Sequence, residues 1–198
     1  YSMQIILREI TAFREGRGQA LPVSLPYRNF IAATRAVPAS AHEAWFRAQL
    51  GDIDAPTAPF GLLDIQGAGE QVREAKLAID PDLALAVRAM ARQYGVSPGV
   101  LFHTAWSRVV GQCSGRDDVV FGTVLSGRLQ GGEGADRVIG MFINTLPVRV
   151  SLATASVSEA VAATYRALSE LLAHEQASLT LAQACSGVSA PLPLFTAL

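Results

Sequence analysis

Residues 138–150 read VIGMFINTLPVRV, and residues 124–128 a little upstream read VLSGR. Both have the β-branched and apolar character of strands, yet each carries polar groups where a buried strand is expected to be plain. Gly122, Ser126 and Gly127 take side-chain bulk off the first strand, which marks close approach by a ligand or another backbone. In the second, Asn144 and Thr145 interrupt the run Met141, Phe142, Ile143, Leu146 and Val148. Buried amides and hydroxyls need partners, and Pro147 removes a ladder donor, so the strands read as parted or as an edge. Two readings stand side by side: a cleft between separated strands, or an Asn144 that ties down a loop.

Working outward, SGRDD turns the chain into the strand VVFGTVLSG, and the Gly-rich RLQGGEGAD leads to MFINTLPVRV. Upstream lie two helices. In PDLALAVRAMARQYG, Asp80 is placed to cap, Pro81 opens the first turn and Gly95 follows the end. SPGVLFHTAWSRVVGQC has almost no polar face and is expected to be central to the core. REAKLAID alternates like a strand ending at Asp80. Downstream come the amphipathic SVSEAVAATYRALSELLAHE, the shorter LTLAQACSG, and PLFTAL, which resembles the opening of a strand. Near the start, residues 2–15 put Met3, Ile6, Leu7, Ile10 and Phe13 on one helical face. QALPVSLPY is extended, Ser40 with Glu43 makes a capping-box signature, and residues 51–70 form a long loop too apolar to be a solvated linker. Strands alternating with long helices argue a layered α/β architecture.

Half of the 198 residues are apolar, 17% are charged, and the net charge is -1. Such richness hints at apolar surface that meets a partner. The charge balance offers no basic footprint for nucleic acid, and no apolar run approaches the roughly 18 residues of a membrane span. Arg8, Glu9, Arg14 and Glu15 rule out a signal peptide in residues 1–16. Cys113 and Cys185 lack metal spacing and suit a reducing cytoplasm.

Conventional catalytic constellations are missing. His42–Glu43 and His174–Glu175 are adjacent pairs that point different ways on a helix, so neither makes a metal face. His174 suits a helix C-terminus as a cation, and His103 reads as a hydrogen-bonded core residue. Ser126 lacks the glycine two positions earlier that a nucleophile elbow needs. The run from Gly131 to Gly134 has no following Lys-Ser or Lys-Thr and is not a phosphate cradle.

The same residues carry a resemblance. SGRDDVVFGTVLSGR followed by VIGMFINTLPVR resembles the condensation domain of non-ribosomal peptide synthetases. Ile139, Gly140, Phe142, Asn144 and Thr145 match the family's Ile/Val-Gly-x-Phe-x-Asn-Thr motif, with Arg149 closing it. LPYRNFIA is similar to its Tyr-x-Asp-Tyr motif, with Asn29 and Phe30 as departures, and HEQASLTLAQ loosely occupies the place of a His-Gln motif.

This resemblance implies a chloramphenicol acetyltransferase-like two-layer α/β sandwich, as one lobe of a two-lobed domain. Residues 1–20 are then a helix belonging to the N-terminal lobe, 21–70 a connector and short helix, and 71–198 the C-terminal lobe, truncated at its end. The implied activity is amide-forming acyl transfer between thioesters. No cofactor is bound directly; substrates ride on phosphopantetheine arms of upstream and downstream peptidyl carrier domains, beside an adenylation domain. The family's motif of two histidines, three variable residues, an aspartate and a glycine is expected immediately before Tyr1, so no catalytic residue falls in this segment and it is expected to be inactive alone. Ser126, Gly127, Asn144 and Thr145 are expected to line the substrate tunnel, while Arg128 and Arg149 meet either the carrier arm or a lobe-bracing ion pair. The competing expectation is an inactive lobe, or one of the epimerisation or cyclisation type, that serves carrier docking. In isolation, the exposed lobe interface is expected to drive dimerisation.

Overall fold

The computed structural model describes residues 2–35, 37–64, 72–128, 137–153 and 156–198. In chain order these form α1 (Ser2–Arg14), α2 (Tyr27–Thr34), α3 (Ala39–Leu50), α4 (Pro81–Tyr94), α5 (Pro98–Ser114), β1 (Asp118–Leu125), β2 (Asn144–Ser151), α6 (Val157–Leu172) and α7 (Leu179–Ala184). The mixed α/β architecture follows the expectation.

β1 and β2 pair antiparallel, from Asp118↔Ser151 at one end to Leu125↔Asn144 at the other. Burial runs almost unbroken through Val119, Val120 and Phe121 of β1 and through Leu146, Pro147 and Val148 of β2. A strand buried without alternation is covered on both faces. Phe46 and Leu50 from α3, Val110 from α5, Leu171 from α6 and Ala182 from α7 complete that core. Pro147 sits opposite Gly122. The other side of β1 is flanked by chain already passed and chain still to come. Val120 N–H donates to Thr57 Oγ1 at 3.0 Å, and Gly122 N–H donates to the Ala197 carbonyl at 2.9 Å. The tail therefore does open as a strand would, joined to Thr57 by one parallel bridge at Phe195.

Local signals hold at several helix ends. Asp80 accepts from the N–H groups of Asp82 and Leu83, at 2.9 and 3.2 Å, and Gly95 closes α4 in the left-handed conformation. α6 opens with a full capping box, Ser156 with Glu159.

Four expectations are corrected. The capping box read at Ser40 is not formed: the helix starts one residue earlier, behind Pro38, and Glu43 instead pairs with Arg47 one turn on, at 2.6 Å. REAKLAID forms no strand; residues 73–80 are exposed, and alternation without a neighbouring ladder leaves the backbone to water. α5 is not enclosed. It buries Val100, Thr104, Ser107 and Val110, whereas Phe102, Trp106 and Val109 face outward. The strand expected from Met141 begins only at Asn144.

The apolar stripe of α1 is uncovered: Met3, Leu7, Ile10 and Phe13 are each at least half exposed, and only Ile5 and Ala12 are buried. The loop after α3 is described as far as residue 64, and its Phe60, Leu62 and Leu63 are exposed as well. The remainder of that loop, and the glycines from Gly131 to Gly134, lie outside the described residues.

A candidate cleft at the end of the strand pair

Beyond Leu125 the chain leaves the ladder through Ser126, Gly127 and Arg128, and it returns through Val138 to Ile143 before β2 begins. These two passages cross. Gly127 has φ +65°, and a Cβ placed there would stand 1.8 Å from the carbonyl oxygen of Phe142. Only glycine satisfies both the conformation and the crossing.

Phe142 is the centre of a small second core with Phe30 and Val138. Its ring lies 4.4 Å from that of Phe30 and 5.1 Å from that of Tyr27. The Arg128 guanidinium covers it at 3.8 Å, a cation held over a ring face. Tyr27 hydroxyl donates to the Met141 carbonyl, and Gly140 packs so closely under the Tyr27 ring that a Cβ would come within 2.2 Å of it. The three stretches LPYRNF, VLSGR and VIGMF, distant in sequence, thus meet in one cluster.

Over this cluster opens a cleft of about 480 Å³, whose lining includes Ser2, Val124, Ser126, Arg128, Met141 and Ile143. Ser126 is exposed at the cleft. Arg128 is directed inward to the frame, donating to the Val138 carbonyl at 3.1 Å and to Ser2 Oγ at 3.2 Å. Gly127 is buried behind Ser126, and Asn144 and Thr145 stand in β2, outside the residues that line the cleft.

Asn144 donates both amide hydrogens to backbone carbonyls, Glu175 at 2.8 Å and Ala177 at 2.7 Å. Its Oδ1 accepts from the N–H of Thr145 at 2.9 Å. Of the two readings open at this residue, the loop tie is the one the contacts describe. The partner turn had shown no signal of this beyond its place in HEQASLTLAQ. Gln176, within that turn, donates to the Gly127 carbonyl at 3.0 Å, a contact that sequence reasoning missed.

Arg149 is placed at the opposite end of the ladder. Its Nε and Nη2 donate to Asp118, its Nη1 and Nη2 to Asp52 at 2.6 and 2.8 Å, and its Nη1 also to the Gln49 carbonyl at 2.8 Å. The hydrogen bonds to Asp118 and then Asp52 raise its pKa further, and Arg149 in turn holds the Asp52 carboxyl below its ordinary value. All five donors point at partners within the chain, which is the bracing geometry of the two that were expected.

The histidines also pair differently from the sequence reading. His42 and His174 face each other, Nδ1 to Nδ1 at 2.9 Å, one donating and the other accepting, and Trp45 stacks on His174 at 4.4 Å. Burial lowers both pKa values, and for His174 the charge of His42 adds to it. His174 therefore does not serve as a helix-terminal cation: in the folded chain burial favours the neutral ring. His103 is hydrogen-bonded as expected. Its Nδ1 donates to the Gly99 carbonyl at 2.7 Å and its Nε2 meets the Thr123 hydroxyl at 2.7 Å. A second, apolar hollow of about 320 Å³ lies beside it, walled by Phe102, Trp106 and Leu198, and shares Val124 with the first cleft. Among the described residues there is no cluster of potential metal ligands, and no helix is long and apolar enough to cross a membrane.

Comparison with known proteins bears on this arrangement. Residues 1–189 match the family described as Condensation domain. Malpinin synthetase of Mortierella alpina is 45% identical over the whole chain, which spans 3% of that protein's length. Among solved structures, the first condensation domain of the calcium-dependent antibiotic synthetase, in complex with a substrate analogue, superposes with a TM-score of 0.70 at 20% identity. The match covers 89% of this chain and 41% of that one. The X-domain from teicoplanin biosynthesis gives 0.71 at 20% identity, over 98% and 47% of the two chains. These structures share the fold.

Proposed function

This chain belongs to the condensation-domain family, and on that premise we propose that it is the C-terminal lobe of an amide-forming acyltransferase in a non-ribosomal peptide synthetase. The observation that carries the reading is the convergence of Tyr27, Phe30, Arg128, Gly140 and Phe142 around one open cleft with Ser126 exposed at it. These residues come from the three stretches that resemble the family's motifs.

In the proposed reaction an amine nitrogen attacks the carbonyl carbon of a thioester. A C–N bond forms, the C–S bond breaks, and the thiol leaves with the proton that the amine gives up. Both substrates arrive on phosphopantetheine arms of peptidyl carrier domains, fed by an adenylation domain. No histidine is among the described residues that line the cleft, so residues 1–198 are proposed to be inactive alone and to work with a facing N-terminal lobe that supplies the family's histidine motif. The uncovered apolar stripe of α1 supports a facing lobe, since a contiguous apolar face of this kind signals a covering partner. In the isolated chain the same stripe favours self-association. Domain limits of 1–20, 21–70 and 71–198 are part of the proposal, as is a cytoplasmic setting, supported by the free thiols of Cys113 and Cys185.

For this lobe the proposed work is positioning. Ser126 contacts the thioester or the arm amides, while Gly127, Asn144 and Thr145 form the tunnel frame behind it. Asn144 acts by holding rather than by touching, because its donors are already engaged. The test is a condensation assay on the full synthetase with both carriers loaded, product followed by mass. Ser126→Phe, which fills the cleft from an exposed position, is expected to lower the rate about a hundredfold without unfolding the lobe. Full activity in that variant removes the cleft from the reaction, and an inactive wild type with competent substrates turns the reading to a docking lobe.

A further inference from the structure

We infer that the turn at residues 174–177 is the positioning device of the cleft, and that Gln176 is the residue that fixes how Ser126 is presented. The inference deepens the proposed function and rests on it for its link to catalysis. Four successive residues of this turn are gripped by three separate parts of the fold. His174 is joined to α3 through His42 and the stacked Trp45. The carbonyls of Glu175 and Ala177 accept from Asn144 at the first residue of β2. Gln176, between them, reaches across to the Gly127 carbonyl. Glu175 and Ala177 are buried, so the turn that carries Gln176 is anchored on either side of it.

The need for such a device follows from the geometry of the segment it holds. Ser126–Arg128 lies beyond the β1–β2 register, which ends at Leu125, and among the described residues no ladder pairing orients its peptides. Glycine at 127 is imposed by the Phe142 crossing, and glycine is the residue whose flanking peptides rotate most readily. Rotation about Gly127 would swing the Ser126 and Arg128 peptides relative to the cleft. The Gln176 hydrogen bond holds the Gly127 carbonyl, and with it the Gly127–Arg128 peptide, against rotation about the Cα–C bond of Gly127. Arg128 restrains the far end of that same peptide through Val138 and Ser2, so Gly127, directly behind Ser126, is pinned from two directions.

The test uses the full synthetase with Gln176→Glu, which keeps the shape but sets an acceptor against the Gly127 carbonyl, and Gln176→Lys, which restores a donor. Amide hydrogen exchange at residues 127–128 is expected to rise about tenfold in Q176E, with exchange in β2 unchanged. In the loaded-carrier assay kcat falls about ten- to a hundredfold with KM little altered, and Q176K recovers part of the loss. Unchanged exchange at 127–128, or a rise shared equally by β2, overturns the inference. If the wild type forms no amide, the proposed function fails, and the exchange arm still decides the positioning role.

Discussion

At one end of the β1–β2 ladder Arg149 draws together Asp118, Asp52 and the end of α3; at the other, Leu125 faces Asn144, whose neutral amide holds a backbone turn. The same pair of strands is thus closed by guanidinium–carboxylate pairs at one end, and by neutral amide hydrogen bonds and aromatic packing under a cation over Phe142 at the other. Charge suits the closed end because Asp52 is open to water there, where ions keep part of their hydration. Beside the cleft, the amide donors of Asn144 and Gln176 fix backbone geometry without adding charge, and the Arg128 guanidinium is turned to Val138, Ser2 and the Phe142 ring.

The largest way to break the comparison is Phe142→Ala. It empties the small core under the cleft and is expected to cost about 3–5 kcal/mol in denaturant unfolding, with the Arg149 end left formed. Arg149→Met should cost about 2 kcal/mol, since it leaves Asp118 and a backbone acceptor without their donor. Asn144→Ala should cost about 1–2 kcal/mol, for two hydrogen bonds to carbonyls. Salt separates these two: the loss in Arg149→Met shrinks between low and 1 M salt, and the loss in Asn144→Ala does not. An equal salt response in both would erase the distinction between the ends.

Acid gives the smallest and finest test. His42 and His174 have depressed pKa values when folded, so the unfolded chain takes up protons first as pH falls below the ordinary 6.5. Their contribution is complete above that pH and is lost as pH drops through the folded values. Asp52 is depressed below 3.8, so its contribution persists until much lower pH. The unfolding midpoint should therefore soften as pH falls below 6.5, through the depressed values of the His pair. His42→Gln should flatten that part of the profile and leave the acid limb in place.

Much of this was legible in the chain. Asp80 and Gly95 bracket α4 by local chemistry, and β1 and β2 were marked by runs no helix period explains. The cluster of Tyr27, Arg128, Gly140 and Phe142 was visible only as three resembling motifs, because contact between residues over a hundred positions apart leaves no local pattern. The pairing of His42 with His174 was hidden for the same reason, each histidine being read with its own sequence neighbour. REAKLAID misled because alternation is a statement about two faces, and a strand also needs an edge to join. Gln176 left only its place in the loosely kept HEQASLTLAQ stretch, since a side chain that binds a backbone carbonyl asks nothing of its partner's identity.

The stacking of Trp45 on His174 makes the protein its own optical indicator. The sequence holds two tryptophans, and only Trp45 lies parallel to an imidazole, with rings inclined by 17°. An imidazolium in that position withdraws excitation from the indole, whereas the neutral ring leaves it bright. Emission from a Trp106→Phe background would therefore report the charge state of the His pair directly, and with it the grip of α3 on the turn that faces the cleft.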